Sequence, residues 1–398
     1  MPGEAKPSRA RRRSVALRAG IAAAVVAAVA VLAGITGLAV NAASGADHQP
    51  AAPGQSGHQP RAAGPLRVIA VSPSDGTARL SGAASVQISF SAPVARASAD
   101  PRLSPSVPGQ WQVSGSTLMF TPDTPLAPST RFTLRIPAGQ AGIRSAAGSV
   151  LAKPVTTHFK TAAYAQLRLA QLLSNLGYLP LSWQSGAGGR LSSDPTTDRV
   201  ASQQELAYSP PAGSFTWQAG YPASLRSQWL PGRPNALVRG AVMAFKAQHR
   251  MAVNADTTRK FWDKLFAAAQ DGQRNTVGYT YALASKGSPE TLTIWHDGRI
   301  VLHSLANTGI PVAPTASGTF PVYLRYRYQV MQGTNPDGSH YSDPVTFVAY
   351  FDGGEAVHYF PRGWYGSPQS LGCVELPYGD AEQAWPYLTY GSLVTVTG

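Results

Sequence analysis

The sequence predicts a multidomain, mainly β protein in which a small α-helical domain separates two regions of short strands. Three observations predict it. The chain has 398 residues, with 39 Gly and 33 Pro, a turn-rich composition that favours short strands over long helices. Apolar residues alternate with period two over residues 66–162 and again over 273–398. Between them, over residues 163–272, the apolar spacing changes to the i, i+3, i+4, i+7 of an amphipathic helix.

Ahead of these regions, residues 1–18 form a basic tail, with Lys6, Arg9, Arg11, Arg12, Arg13 and Arg18 against Glu4. Residues 19–40 carry no charge. At about 1.5 Å per residue such a helix spans a bilayer, and the basic flank holds the N-terminus in the cytoplasm. We therefore expect a single-pass anchor, with a cleaved signal peptide as the alternative. Either way the rest of the chain faces the extracytoplasmic side of the cell membrane and the cell wall. Residues 41–65 are small, polar and proline-rich, the composition of a flexible linker. Lys and Arg total 33 against 20 acidic residues, a net charge of +13. Beyond the tail this excess is spread thinly, without the basic helix or stripe of a nucleic-acid footprint. It suits an anionic envelope instead.

Residues 66–162 alternate at Val86, Ile88 and Phe90, at Phe132, Leu134 and Ile136, and at Val155, Thr157 and Phe159. Two shorter runs hold Trp111 with Val113 and Leu118 with Phe120. Turn clusters such as Ser74-Asp75-Gly76 separate them. This spacing predicts a β-sandwich of about seven strands. The runs VSPSDG and ISFSAPV resemble bacterial Ig-like domains of envelope proteins, which implies a spacer.

In residues 163–272, Leu169, Leu172, Leu173 and Leu176 mark one helix that Gly177 ends. Val238, Ala241, Val242 and Phe245 mark a second, and a third opens near Asp256 as N-cap with Phe261 and Leu265 on one face. The phrases LLSNLGYLP and AVMAFKAQHRMAVNADTTRKFWDKL resemble a peptidoglycan-binding helical domain, interrupted by a long insertion over 178–236. Trp217, Tyr221 and Trp229 in that insertion either stack on sugars or pin the loop to the helices.

In residues 273–398, Asp297-Gly298 between TLTIW and RIVLHS predicts a two-residue hairpin. Further strands are predicted over 320–328, 345–351, 356–360 and 393–397. Cys373 is the chain's single cysteine, so no internal disulfide is available to it. It lies 15 residues after His358, across a loop rich in Gly, Pro and Ser that can fold back on itself. A cysteine nucleophile needs its proton removed, and an imidazole within hydrogen-bond reach removes it and later returns it to a leaving amine. Gly372 lets a substrate approach the backbone closely, and N–H groups at Cys373 and its neighbours can form an oxyanion hole. No HExxH, CxxC or carboxylate-rich loop appears, so neither a metal site nor a cofactor is expected.

The string HYFPRGWYGSPQSLGCVELP resembles the signature of YkuD-type L,D-transpeptidases, in which a His is followed after a variable loop by Ser-His-Gly-Cys. Ser370, Gly372 and Cys373 match that motif, NTGIPVAPTASGTF matches the substrate-side run, and YGSLVTV matches the closing strand. The resemblance implies a YkuD-type β-sandwich or barrel as catalytic domain. It also implies that Tyr341 and Met331 belong to a substrate-covering lid. Two positions depart from the motif. Leu371 stands where the second His belongs, leaving His358 as the base, and Glu375 stands where Asn or Arg is usual. A negative charge there would disfavour a stem-peptide carboxylate and favour an amine or amidated substrate. The resemblance implies a cysteine acyltransferase that acts on peptidoglycan stem peptides, forms 3→3 cross-links through a thioester and is acylated by carbapenems. The alternatives are an L,D-carboxypeptidase with water as acceptor, a non-catalytic wall-binding module, and an acyltransferase that attaches a protein to the wall.

Overall fold

A computed structural model describes residues 64–95, 99–186 and 199–398. The expected tail, anchor and nearly all of the linker lie outside the described residues. No described helix is long and apolar enough to cross a membrane. Pro60–Gly398 form one compact unit.

The first region is a β-sandwich. Its strands are β1 (Val68–Ser72), β2 (Thr77–Leu80), β3 (Val86–Phe90), β4 (Arg102–Ser104), β5 (Gly109–Ser114), β6 (Thr117–Pro122), β7 (Arg131–Ile136) and β8 (Val155–Thr161). They form two four-stranded sheets, ordered β1-β3-β6-β5 and β2-β8-β7-β4. The alternation has its expected consequence: Val86, Ile88, Phe132, Leu134 and Ile136 are all at most 1% exposed between the sheets. Eight strands stand where about seven were expected, because β2 and β4 are too short to carry a period-two signal.

The second region holds α1 (Gln166–Asn175), β9 (Leu181–Ser185), α2 (Arg199–Tyr208), β10 (Gly213–Trp217), α3 (Ala223–Arg226), α4 (Ala236–Gln248) and α5 (Arg259–Gln270). The leucine stripe buries α1, and Gly177 at φ +78° turns the chain after it. The expected N-cap at Asp256 is corrected: Thr258 caps α5, its Oγ1 accepting from Phe261 N at 3.4 Å. The insertion contains β9 and β10, paired antiparallel, and the helices α2 and α3, rather than loop alone. Its aromatic residues pin it. Tyr221 is 4% exposed and donates to Tyr279 O, and Trp229 packs edge-on against Phe215.

The third region contains β11 (Thr280–Ser285), β12 (Thr291–His296), β13 (Arg299–Leu305), β14 (Gly318–Pro321), β15 (Leu324–Thr334), β16 (His340–Asp352), β17 (Glu355–Tyr359), β18 (Val374–Leu376), α6 (Tyr378–Ala384) and β19 (Leu393–Thr397). A five-stranded sheet, β13-β12-β11-β19-β14, packs on a four-stranded sheet, β15-β16-β17-β18. Asp297 and Gly298 make the expected hairpin turn, both at positive φ. The single strand expected over 320–328 is two strands in different sheets, β14 and β15. The chain crosses between sheets at residues 322–323, where Val322 N bonds Ser392 O and Tyr323 N bonds Tyr350 O.

The five-stranded sheet is covered on both faces. From β11, Ala282 and Ala284 face the other sheet, while Tyr281 and Leu283 face the helices; in β19, Val394 and Val396 face one way and Leu393 the other. Gly240 of α4 lies so near this sheet that a Cβ there would come within 2.5 Å of Gly391 O. The helical region is therefore a layer of the same body and shares a core with the third region.

Candidate active site

His358 and Cys373 line the same cleft, about 500 Å³ in volume, beside the four-stranded sheet. His358 lies in β17, and Cys373 immediately precedes β18, which pairs with β17 in parallel with His358 opposite Glu375. The fold-back of the intervening loop is therefore a property of the sheet itself.

The turn before Cys373 is held on several sides. Ser370 Oγ donates to Cys373 O at 2.6 Å and accepts from Gly372 N at 3.2 Å. Ser370 N donates to Thr308 O, and Ile310 N donates to Ser370 O. Asn307 and Glu375 exchange backbone hydrogen bonds. The run 307–310 that straps the turn is itself anchored: the buried Glu290 carboxylate accepts from Thr308 N at 2.6 Å and from Thr308 Oγ1 at 2.7 Å. Gly309 N donates to Thr315 Oγ1. Gly372 sits at φ +113°, a conformation L side chains rarely adopt, and a Cβ there would face the Glu355 carboxylate at 3.3 Å. Gly372 is thus required by conformation, and its N–H is already taken by Ser370. It is not the free oxyanion donor expected.

His358 is 3% exposed. Its Nδ1 lies 3.0 Å from Tyr359 O. A carbonyl oxygen has no proton to give, so Nδ1 carries the hydrogen and Nε2 keeps its lone pair. Burial lowers the pKa of His358, opposed by the Tyr359 carbonyl and the Glu375 charge. The imidazole is neutral at neutral pH. Cys373 is half-buried against a small apolar cluster of Val345, Val348, Tyr350 and Ala356. Its Sγ lies 3.8 Å from Gly354 O. Burial pushes the thiol up to about 12, with Glu375 and Glu355 adding to the rise and the Ala356 N–H offsetting part of it. The resting pair is thiol and imidazole, with no hydrogen bond between them among the described residues.

Glu375 is not the lone negative charge the sequence suggested. Arg362 grips it in a bidentate pair, both contacts at 2.8 Å, and also donates to Gln369 O at 2.9 Å. The pair raises the pKa of Arg362. Because the charge is neutralised locally, it gives no basis for selecting an amidated substrate. Leu371 lines the cleft and is 38% exposed, so the motif's missing imidazole is replaced by an apolar wall.

Tyr341 and Met331 also line the cleft, from the long hairpin of β15 and β16, whose tip residues Asn335, Pro336 and Asp337 line it too. Tyr341 pairs with Gly333 across the hairpin, and a Cβ on Gly333 would collide with the tyrosine ring. The pKa of Tyr341 is raised by burial and by the nearby Cys373 and Asp343. Sequence reasoning missed Glu290, Glu355 and Arg362, and it quoted Asn307 only as the first residue of the run 307–320. Of these only Arg362, within the motif string and 13 residues before an anomalous Glu375, left a usable trace.

The geometry of a strapped Gly-Cys turn beside a buried imidazole coincides with the family comparison. The YkuD model, the L,D-transpeptidase catalytic domain, matches residues 279–396. The model for the bacterial Ig-like domain matches residues 62–161. No curated protein matches the chain. Among solved structures, an L,D-transpeptidase from Mycobacterium smegmatis is 15% identical, with 84% of this chain and all of that chain covered, at a TM-score of 0.28. L,D-transpeptidase 3 from Mycobacterium tuberculosis, seen with a faropenem-derived adduct, is 15% identical over 83% of this chain and 98% of its own, at 0.29. The catalytic domain of an E. faecium L,D-transpeptidase is 26% identical over 30% of this chain and 96% of its own, at 0.28. Overlays this loose carry no argument about the site. The assignment of the YkuD domain rests on the family model.

Proposed function

We propose that this chain is an L,D-transpeptidase of the bacterial envelope, with Cys373 as nucleophile and His358 as general base. The observation that carries the reading is the His358 tautomer: Nδ1 spent on Tyr359 O leaves Nε2 able to take a proton, in the cleft that holds the thiol. In the apo fold the two groups are not hydrogen-bonded, and such contacts commonly tighten only with substrate present.

The thiol gives its proton to Nε2 as Sγ attacks the carbonyl between the L-centred and D-centred residues of a stem tetrapeptide. The Cys373 N–H is a backbone donor at the turn able to meet the developing oxyanion, whereas the Gly372 N–H is engaged. D-Alanine leaves with the proton from His358, and a thioester remains. The amine of a neighbouring stem then attacks the thioester, its proton passes to Nε2, and the thiolate departs to be reprotonated, leaving a 3→3 cross-link. Water in place of the amine makes the reaction an L,D-carboxypeptidation. Tyr341 and Met331 cover the bound peptide, and carbapenems acylate the same sulfur. The apolar stretch at residues 19–40 holds the enzyme on the outer face of the membrane.

The test is mass spectrometry of muropeptides incubated with the full-length protein. A dimer that has lost one D-alanine, absent with Cys373→Ala, supports the reading. Release of D-alanine without dimer selects the carboxypeptidase. No change in any muropeptide favours a wall-binding module.

A further inference from the structure

The strap that holds the nucleophile turn is fastened at both ends, and its far end is fastened to the strand that carries His358. At the near end Glu290 holds Thr308. Gly309 N donates to Thr315 Oγ1 at 2.8 Å, and Thr315 is 1% exposed, so residues 309–315 are closed into a loop. At the far end Glu355 accepts from Ala316 N with both carboxylate oxygens, at 3.1 and 3.2 Å. Lys286 holds the flanking residues, donating to Thr315 O at 3.3 Å and to Ser317 Oγ at 2.7 Å. Gly318 then opens β14 in the five-stranded sheet, whereas Glu355 opens β17 in the four-stranded sheet. One carboxylate ties the two sheets at this corner.

Glu355 also packs on the nucleophile turn. Its Oε1 lies 3.3 Å and its Cγ 3.4 Å from where a Cβ on Gly372 would stand, so the side chain rests against the Gly372 backbone. The residues on either side of it flank the sulfur. Gly354 O lies 3.8 Å from Cys373 Sγ, and the Ala356 N–H is within hydrogen-bonding reach of it. His358 follows on the same strand. Glu355 itself does not line the cleft. It stands behind the turn, where strap, turn and the strand of the base meet on one side chain.

We propose that Glu355 is a positioning residue for acyl transfer: it clamps the strap to the back of the Gly372–Cys373 turn and so fixes where the sulfur sits relative to His358. The inference rests on the acyl-transfer reading. The charge of the clamp has a second consequence. Around the sulfur stand His358, Tyr341, Tyr350, the Glu375–Arg362 pair and Glu355. Glu375 is matched by Arg362. Burial raises the pKa of Glu355; the Ala316 N–H and Lys286 oppose the rise, and Asp352 adds to it. An ionised carboxylate disfavours a second negative charge beside it. Glu355 therefore holds the nucleophile in place and, at rest, as a thiol.

The experiment compares Glu355→Gln and Glu355→Ala with the parent, each as the full-length protein. The readouts are acylation by a stem tetrapeptide over a range of concentrations and the pH profile of alkylation by iodoacetamide. Gln still accepts from Ala316 N but carries no charge. Its acylation stays near the parent's, and its alkylation profile moves to lower pH. Ala loses the clamp as well. Its maximal acylation rate falls roughly tenfold to a hundredfold, the scale of an ångström's misplacement. The half-saturating donor concentration stays unchanged, because Glu355 does not touch the substrate. Should Glu355→Ala not fold, the alkylation profile of Glu355→Gln decides. The proposal is overturned if Glu355→Ala acylates as fast as the parent, if its loss lies in donor affinity, if Glu355→Gln is as slow as Glu355→Ala, or if the profile of Glu355→Gln does not move. A parent that takes up no acyl group sinks the acyl-transfer reading and the proposal with it. A parent that is acylated while both variants match it sinks the proposal alone.

Discussion

The Ig-like sandwich and the YkuD domain are built from the same kind of strand, yet they bury different things. Between the sheets of the first lie Val86, Ile88, Phe132, Leu134 and Phe159, and among its described residues the buried polar ones are Ser145, Thr157 and Thr161. The second buries Glu290, Asn307, Thr308, Ser370 and Glu375 in a hydrogen-bonded network around the turn at Cys373, with His358 buried beside it. Apolar burial alone stabilises a sandwich. Burying a carboxylate or an imidazole costs stability unless every polar atom is met, and such groups gather where chemistry requires them. The difference teaches that the first region is built for stability and the second for a site.

Paired substitutions sharpen that contrast. Phe132→Ala in the sandwich should lower stability by about 3–5 kcal/mol and leave kcat/KM unchanged below the melting transition. His358→Ala in the cleft should do the reverse, lowering kcat/KM by roughly 10²–10⁴, the usual worth of a general base, with little loss of Tm. Thermal melts and donor turnover measured on both variants check the pair. If both lose activity equally, the division of labour is wrong.

Arg362→Met should lower stability by about 3–5 kcal/mol by stranding Glu375. The double change Arg362→Met, Glu375→Met should recover most of that loss, because a well-packed apolar pair avoids the desolvation of the ions. Failure of the double variant to recover, in denaturant titrations, would mean the pair does more than balance its own charge.

The pH dependence follows from two displaced groups. Burial lowers the pKa of His358 from its ordinary 6.5. The unfolded chain therefore takes up a proton near 6.5 that the folded chain refuses, and the stability contribution is lost as pH falls from there towards the folded value. The acid limb of kcat/KM should sit below pH 6.5 for the same reason. Cys373 is displaced upward, so alkylation of the free protein by iodoacetamide should be slow at pH 7 and keep rising through pH 9. A plateau already reached by pH 7 would show an ion pair at rest. The smallest effect is expected at Gly333→Ala, where the displaced Tyr341 ring should raise KM a few-fold and barely alter Tm.

Much of this was legible in the sequence. Period-two runs such as Phe132, Leu134 and Ile136 place the strands, and the Leu169–Leu176 stripe places a helix, because one buried face leaves a periodic mark. His358 and Cys373 were legible from residue type and spacing. Glu290 was not. Nothing local distinguishes a carboxylate that will accept from Thr308 across the sheet from one that will sit in water. The merger of the helices with the five-stranded sheet was also hidden: Tyr281 and Leu393 look like ordinary strand residues until both faces are known to be covered. Asp256 misled because Asp and Thr are both good caps, and only the geometry selects Thr258.

The most direct test is to trap the acyl-enzyme. The full-length protein is mixed with a stem tetrapeptide in the absence of acceptor, quenched in acid, and weighed intact before peptide mapping. The account predicts a mass gain equal to the donor less D-alanine, located on Cys373, absent in Cys373→Ala and formed far more slowly in His358→Ala. An adduct on another residue, or one that forms at the same rate without His358, would contradict it.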